Sequence, residues 1–560
     1  MHNTRTIIKT IGLSAAALCG ACGSADTAPV PVGPAPVVSS DRVDISAMTS
    51  RLALGDRLAL TYKVYVAGGQ LREGVKPNWS VSDSTKARVD SNGVVTGFAL
   101  GDVDIIANYI GSVGRFRVTM LPGTGTWGGG YIFGGSNNDG GENIVTDAAG
   151  NVYVGGSTAG TVDGQSATFA SGQADALVTR FLPNGKKAWT RVVLLPGRAG
   201  ANGIALHRDG GVVVNSSNTF GSFVSYVDAS GRVVWKKEYV NAGFNDIATD
   251  RAGNIYVIGN ALRLNTGSIC PGVPLPAPNS VVGGGAGDGL LLKFSPSGEQ
   301  LWCNLWTYVQ PDQVAPKVPV FDTQGVSIAI DEARDAIWVG GVIQLNAIYG
   351  LSPYIRRFSL STGSSALMKF VNPTTVADAP GGRIGSSFGA EYGLLLAVVV
   401  DGAGDVWAGT SESALGTPAT GLAAAQLVKM SASGTQLFRR TLSVADAVAD
   451  RATTALAYRA QQNDVVAVVS YGTTFLIPWN APNGTLIAHD MSGVEKWRTR
   501  VPEAPFTGPA TTSVRAISAT AGGDLFAVGD TRNIFASYPD DAPAGEAGLN
   551  IFVARVAARP

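Results

Sequence analysis

Few residues of this 560-residue chain could carry out chemistry. Besides His2 there are two histidines, His207 in the context ALHRDGG and His489 in IAHDMSG, and a hydrolytic triad or a histidine-rich metal site would have to use one of them. Both stand at the end of an apolar run beside a tight-turn signature. With Asp209 and Asp490 as ordinary turn residues next to them, they read as surface-turn residues. Four carboxylates, Asp147, Asp250, Asp331 and Asp401, recur at one repeat position, each with an Asn or Asp after it. Such a carboxylate can cap the amides of its own turn or bind a cation once per repeat. The spaced D-x-D-x-D-G calcium loop occurs nowhere, which favours capping. Neither a metal site nor a cofactor nor a catalytic residue is expected. The remaining reactive side chains are four cysteines, Cys19, Cys22, Cys270 and Cys303.

The elements that must position these residues repeat. Seven times an apolar run, a polar corner with Gly, Asn or Asp and a second apolar run follow one another, starting at Ile144, Ile204, Ile247, Ile328, Val398, Leu456 and Ile517. The period is ~60 to 70 residues, longer than the usual propeller blade. Six copies continue with a strand, a turn and a bulky apolar residue four positions after a turn glycine. The pairs are Gly185 and Trp189, Gly231 and Trp235, Gly298 and Trp302, Gly363 and Leu367, Gly434 and Phe438, and Gly493 and Trp497. The seventh copy has its third strand at 551–556 and no fourth. Gly123 and Trp127 show the same spacing upstream of the first copy, so 127–133 is expected to be the outer strand of the last sheet, closing a ring with no open edge.

Composition agrees with an all-β chain. Gly is 72 of 560 residues and charged residues only 15%, against a usual ~25%, as short buried strands between tight turns require. Lys plus Arg equals Asp plus Glu at 42 each, so no basic footprint for nucleic acid is present.

At the N-terminus, Arg5 and Lys9 precede a short apolar stretch, Ile11 to Leu18, and small residues lead to Cys22. This is the pattern of a secretory signal, too short to persist as a spanning helix. The run LCGACGS resembles a bacterial lipoprotein signal. The resemblance implies removal of residues 1–21 and lipidation of Cys22, and Gly23 after it implies sorting to the outer membrane. Residues 22–42, with Pro29, Pro31, Pro34 and Pro36, read as a tether that could reach up to ~60 Å at ~3.1 Å per residue. With Cys19 removed and Cys22 lipidated, Cys270 and Cys303 are the cysteines left to an exported chain, and a disulfide between them is expected.

Residues 43–121 resemble a bacterial immunoglobulin-like domain of group 2, on LGDRLALTYKV from Leu54, WSVSD from Trp79, VDSNGVVTG from Val89, then Gly101 and IIA from Ile105. Trp79 is expected in its core. Residues 123–560 resemble the seven-bladed propeller repeat family of bacterial secreted proteins. The copies that carry this are FGGSNNDGGENIVTDAAGNVYVGGST from Phe133 and NDIATDRAGNIYVIGN from Asn245. The expected fold is thus a small β-sandwich followed by a seven-bladed β-propeller closed by an N-terminal outer strand.

In that fold the short corners line one end of the ring. The long connections, Ser157 to Ala174, Asn260 to Gly287, Thr307 to Val326, Asn372 to Leu394 and Thr531 to Gly548, emerge at the other, which makes that end the expected binding face. Its aromatic candidates are Tyr308, Tyr349, Tyr354, Phe388, Tyr392, Phe506 and Tyr538. The chain therefore reads as a lipid-anchored, non-catalytic binding or adhesion module of the outer membrane or cell surface. It is expected to be a monomer that meets a protein or glycan at the long-loop face and the membrane only through its lipid. The alternatives are a periplasm-facing outer-membrane assembly scaffold and a propeller enzyme of quinoprotein or polysaccharide lyase type. Against the quinoprotein stand the repeat count of seven and the lack of adjacent cysteines.

Overall fold

In the computed structural model the described residues lie between 41 and 556. Outside the description are 122–126, 168–173, 195–199, 263–268, 272–286, 310–319, 345–350, 372–375, 379–392, 413–423, 443–450, 472–483, 502–511, 532–548 and shorter stretches. Cys22 and residues 23–40 of the tether fall outside it as well, while Arg42 already opens the first strand, Arg42–Ser46.

Three of the four repeated carboxylates cap their own corner, as the sequence predicts. Asp147 accepts the N–H of Asn151 at 2.8 Å, Asp250 that of Asn254 at 2.8 Å, and Asp401 those of Ala403 and Asp405 at 2.9 and 3.0 Å. The second corner of a copy uses the same device, with Asp228 and Asp490 each accepting two backbone N–H groups. Where a residue is inserted, the corner absorbs it in a left-handed conformation, at Asp335 and Asn463, both with φ 48°. In that altered corner Asp331 pairs with Arg334 at 3.1 Å instead.

From Trp127 to Val556 the strands form one two-stranded ribbon, Thr161–Val162 with Gln165–Ser166, and seven large antiparallel sheets, which we number 1 to 7. Their inner strands are Asp139–Thr146, Gly200–Leu206, Ala242–Thr249, Val320–Asp331, Gly393–Val400, Arg451–Arg459 and Thr512–Ala519. Sheet 4 has six strands and the others four. The fourth strand of sheet 7 is Trp127–Phe133, paired antiparallel with Asn550–Val556 in the register Tyr131 to Val553 and Phe133 to Ile551. The two distant parts of the chain thus share one sheet, as the spacing of Gly123 and Trp127 predicts.

Each sheet is apolar on both faces because each face meets a neighbour. Seven hydrophobic clusters fill the seven interfaces. Tyr153, Val178, Ile204 and Val214 join sheets 1 and 2, and Val224, Phe244, Val257 and Leu292 join 2 and 3. The cycle continues through further clusters until Phe133, Val528 and Ile551 of sheet 7 pack on Ile144, Val154 and Leu177 of sheet 1. This double burial explains why second strands such as Ile255–Leu262 and Asp464–Tyr471 are continuous apolar runs without alternation.

The residue four positions after each turn glycine holds the next sheet. Trp189 of sheet 1 lies under Gly231 of sheet 2, where a Cβ would come within 2.8 Å of the indole. Trp235 meets Gly298, Trp302 meets Gly363, Leu367 meets Gly434 and Phe438 meets Gly493 in the same way. Glycine suits these positions twice over, because each has a left-handed φ of 72° to 84° and its bare backbone leaves room for the neighbour's side chain. One backbone-directed hydrogen bond crosses most interfaces near the axis, among them Asn202 Nδ2 to Phe244 O at 2.8 Å, Thr453 Oγ1 to Gln426 O at 3.0 Å and Ser470 Oγ to Val514 O at 2.7 Å. At the seam, Gly141 N donates to Asp530 Oδ1 at 2.9 Å.

Residues 41–121 form three small sheets around Leu52, Leu58, Val95, Ile105 and Val118. Trp79 belongs to this core, edge-on to Tyr62 at 5.8 Å and against Gly93, where a Cβ would lie 2.8 Å from its ring.

Deleting residues 127–133 should leave the edge strand Asn550–Val556 unpaired and uncover the sheet 7 to sheet 1 interface. The expected outcome is aggregation or a large fall in Tm, read by thermal denaturation and light scattering; an unchanged Tm contradicts the closure.

Candidate functional site

The inner strands surround the ring axis, and every one of them carries a β-bulge at the same level. A bulge adds one residue that the neighbouring strand does not pair, and so re-aims a side chain. The seven extra residues are Glu142, Asn202, Asn245, Val326, Leu396, Thr454 and Arg515, all half-buried. In sheets 1, 3, 4 and 7 the second strand has a glycine opposite the bulge. A Cβ on Gly259, for example, would run into the Gly243 carbonyl oxygen. The repeated glycine of the apolar runs is therefore the price of the bulge.

The wall this builds is unequal. Sheets 1 to 3 present Glu142, Asn202 and Asn245, sheets 6 and 7 present Thr454 and Arg515, and sheets 4 and 5 present Val326 and Leu396. Glu142 accepts from Ser157 Oγ at 3.2 Å. Arg515 pairs with Asp530 at 2.7 Å, and burial still pushes that carboxyl above its usual range. Asn202 and Asn245 each donate Nδ2 to a carbonyl of the next sheet, Phe244 O at 2.8 Å and Gly325 O at 2.7 Å. Beside Asn245, Asp246 accepts the N–H groups of Ile247 and Ile328 at 2.8 and 3.0 Å, and desolvation raises its pKa to about 6. The arrangement can take a ligand with hydroxyl groups on one side and an apolar face on the other. Among the described residues no three His, Cys, Asp or Glu side chains gather as a metal site.

The residues predicted from sequence fall elsewhere. Tyr354 does not line the binding face: it is fully buried, its hydroxyl donating to Gln324 O at 3.1 Å and accepting from Trp306 Nε1 at 3.1 Å. The reason is that it stands inside a strand, Leu351–Ser359, paired along its length with Ala336–Gln344. Tyr308 begins a two-residue strand paired with Val320 and Phe321. Tyr349, Phe388, Tyr392, Phe506 and Tyr538 lie outside the described residues. His207 and His489 are buried rather than surface-turn residues. The corner of the adjacent sheet covers His207, whose Nε2 bonds Pro296 O at 2.9 Å while its ring stacks on Tyr226 at 3.7 Å. Burial lowers the pKa of His489. The Cys270–Cys303 disulfide is present, tying a buried cysteine of the Leu262 to Gly287 connection to the outer strand of sheet 3. The bulge residues were missed, although each stands two positions before the first apolar residue of its copy. Aligning the copies two residues further upstream would have found them.

No protein-family model matches the chain, and no curated protein does. Among solved structures it is similar to the Dos1 propeller, at 8% identity over 77% of this chain and 95% of that one with a TM-score of 0.39. It is similar as well to a polysaccharide lyase of family PL25, an ulvan lyase, at 11% identity over 71% and 93% with a TM-score of 0.41. A third is the periplasmic gluconolactonase PpgL of Pseudomonas aeruginosa, at 11% identity over 70% and 98% with a TM-score of 0.38. The chain is all-β and its structural neighbours are β-propellers. The expectation that it is non-catalytic does not stand, because these neighbours include enzymes, and a fold shared with them gives no ground for excluding catalysis.

The start of the first inner strand holds one more buried acid. Asp139, 2% exposed, accepts Gly135 N at 2.5 Å, and desolvation raises its pKa to about 6 against the lowering effect of Gly135 N–H and the Thr158 hydroxyl. Against an unfolded value near ~3.9, the charged form costs the native state about 3 kcal/mol at neutral pH, a cost that disappears as pH falls below ~4. Asp139→Asn should therefore raise Tm near neutral pH and lose that advantage in acid. A Tm difference that does not change with pH contradicts the assignment.

Proposed function

We propose that the chain is a cell-envelope lipoprotein whose propeller binds a protein or glycan at the end of the ring where the long connections emerge. In this reading the seven sheets are the blades of a closed propeller, residues 43–121 are an immunoglobulin-like spacer, and Cys22 carries the lipid at the outer membrane or cell surface. The observation that carries it is the inequality of the two ends. The corners at one end span a few residues and are closed by their own side chains. The connections at the other run from Leu262 to Gly287, Asp378 to Gly393 and Thr531 to Asn550. Long connections add closure entropy and are kept where they serve binding. The polar wall of Glu142, Asn202 and Asn245 supports the same end, since the bulges lie in the half of each inner strand that leads from it.

The anchor has a direct test. Cys22→Ser should move the protein from the membrane to the soluble fraction, because no described helix is long and apolar enough to span a bilayer. Retention in the membrane fraction contradicts the lipid anchor. For the binding face, the soluble variant should bind isolated envelope material, and shortening the connection within 272–286, which leaves the Cys270–Cys303 disulfide in place, should weaken that binding without lowering Tm. Equal binding by the shortened variant places the contact elsewhere.

A further inference from the structure

Among the described residues, the non-glycine positions with positive φ are Ile110, Asp163, Asn241, Asp335 and Asn463. Asn and Asp tolerate this conformation, and Ile110, with φ 48°, is the exception. It shares a two-residue turn with Gly111, φ 88°, between the strands Gly101–Tyr109 and Ser112–Leu121. Positive φ at both central residues is the turn that Asn-Gly fits best, and a β-branched side chain there is strained. No packing offsets the strain, since Ile110 is 77% exposed.

The turn lies at the end of the small domain where the tether enters. Arg42 opens the first strand opposite Tyr65, and a Cβ on Gly114 would run into the Val43 carbonyl oxygen, so the tether arrives beside the start of Ser112–Leu121. The same end holds Gln70–Arg72, paired with Val64 to Val66, and the Arg72 guanidinium stands 5.9 Å from the Tyr109 ring. Two further apolar side chains are exposed here, Val113 at 49% and Leu71 at 47%. The strand that leads on to the ring leaves at the opposite end, at Leu121. Arg42 lies over Tyr65 at 4.4 Å as Arg72 does over Tyr109, which sets cations on aromatic rings beside exposed aliphatic side chains, a grouping suited to the level of lipid headgroups. Net charge contributes little, because the exposed Arg42, Lys63 and Arg72 are matched by the exposed Asp41, Asp44 and Glu73.

We propose that this end of the domain rests on a phospholipid bilayer, with Ile110 inserted among the acyl chains and Leu71 and Val113 beside it at the interface. The occupant follows from the course of the chain: residues 23–40 connect this end to Cys22, so the lipid and the three side chains meet one surface. This rests on the reading that Cys22 carries the lipid. Three side chains make a weak, reversible contact that lasts only while the lipid holds the domain beside the membrane, so Cys22→Ser still leaves the membrane fraction.

The test uses the mature chain, residues 22–560, with Cys22→Ser, and an excess of sucrose-loaded vesicles of phosphatidylethanolamine and phosphatidylglycerol. The chain should sediment with the vesicles, equally at low and at high salt. Adding Ile110→Asn should weaken binding about threefold or more, and Leu71→Ser with Val113→Thr besides should bring it to background. Without vesicles the Ile110→Asn variant should melt no earlier than its parent, because asparagine fits the turn. No sedimentation with vesicles overturns the proposal, as does equal binding by the Ile110→Asn variant. Binding that high salt abolishes overturns it too, by reducing the contact to charge, and so does a lower Tm for the variant, by giving Ile110 a structural role. A concentration-dependent dimer that Ile110→Asn abolishes would seat a second copy on this end and overturn the bilayer as its occupant. Vesicle binding by a chain that carries no lipid in cells would fault the anchor and leave this contact in place, whereas a lipidated chain whose lipid-free form ignores vesicles would fault the contact alone.

Discussion

Every sheet of the ring is covered on both faces by its neighbours, and the rest of the structure depends on that. A four-stranded sheet alone buries one face at most, so no sheet here is stable by itself and the seven hydrophobic interfaces stand or fall together. The cycle leaves no terminal sheet whose outer face must be polar. The cycle is completed at the interface between sheets 7 and 1, and sheet 7 is itself assembled from two distant parts of the chain. That seam also concentrates buried acids. Asp139 and Asp530 both sit there with raised pKa values, Asp530 held by Arg515 and by the N–H of Gly141.

What could be read in the sequence was local. A corner aspartate acts on the amides of its own turn, so its role follows from residues a few positions away. The closing strand was legible because the glycine and bulky-residue spacing is kept at Gly123 and Trp127. What escaped depended on contacts between copies. The spacing marks Trp189, Trp235 and Trp302, but the glycine each one meets belongs to the following copy. His207 looked exposed because its own turn is polar, yet Pro296 of the next sheet closes over it. Tyr354 is expected on the long-loop face, yet the pairing of Leu351–Ser359 with Ala336–Gln344 buries it, with Pro353 seated opposite Val342.

The candidate site follows from the same architecture. Bulges at one level deliver seven side chains to the axis whatever their identity, so the scaffold fixes position and leaves chemistry free to vary from sheet to sheet. Three adjacent sheets carry carboxylate and carboxamide groups, and two carry aliphatic ones. This asymmetry departs from the repeat, and so does Asn215 in the second strand of sheet 2, fully buried with both ends of its amide unpaired. Local rules broken against the interest of the fold are where function is to be sought.

Hydrogen exchange followed by mass spectrometry tests closure of the ring most directly. Amides of 551–556, in the strand that lies between Trp127–Phe133 and Leu525–Thr531, should exchange as slowly as those of 255–262 in the second strand of sheet 3, because both strands are paired on both edges within one cooperative ring. Rapid exchange of alternate amides in 551–556 with protection elsewhere intact would show that edge unpaired and contradict the closure and the seven-sheet account built on it.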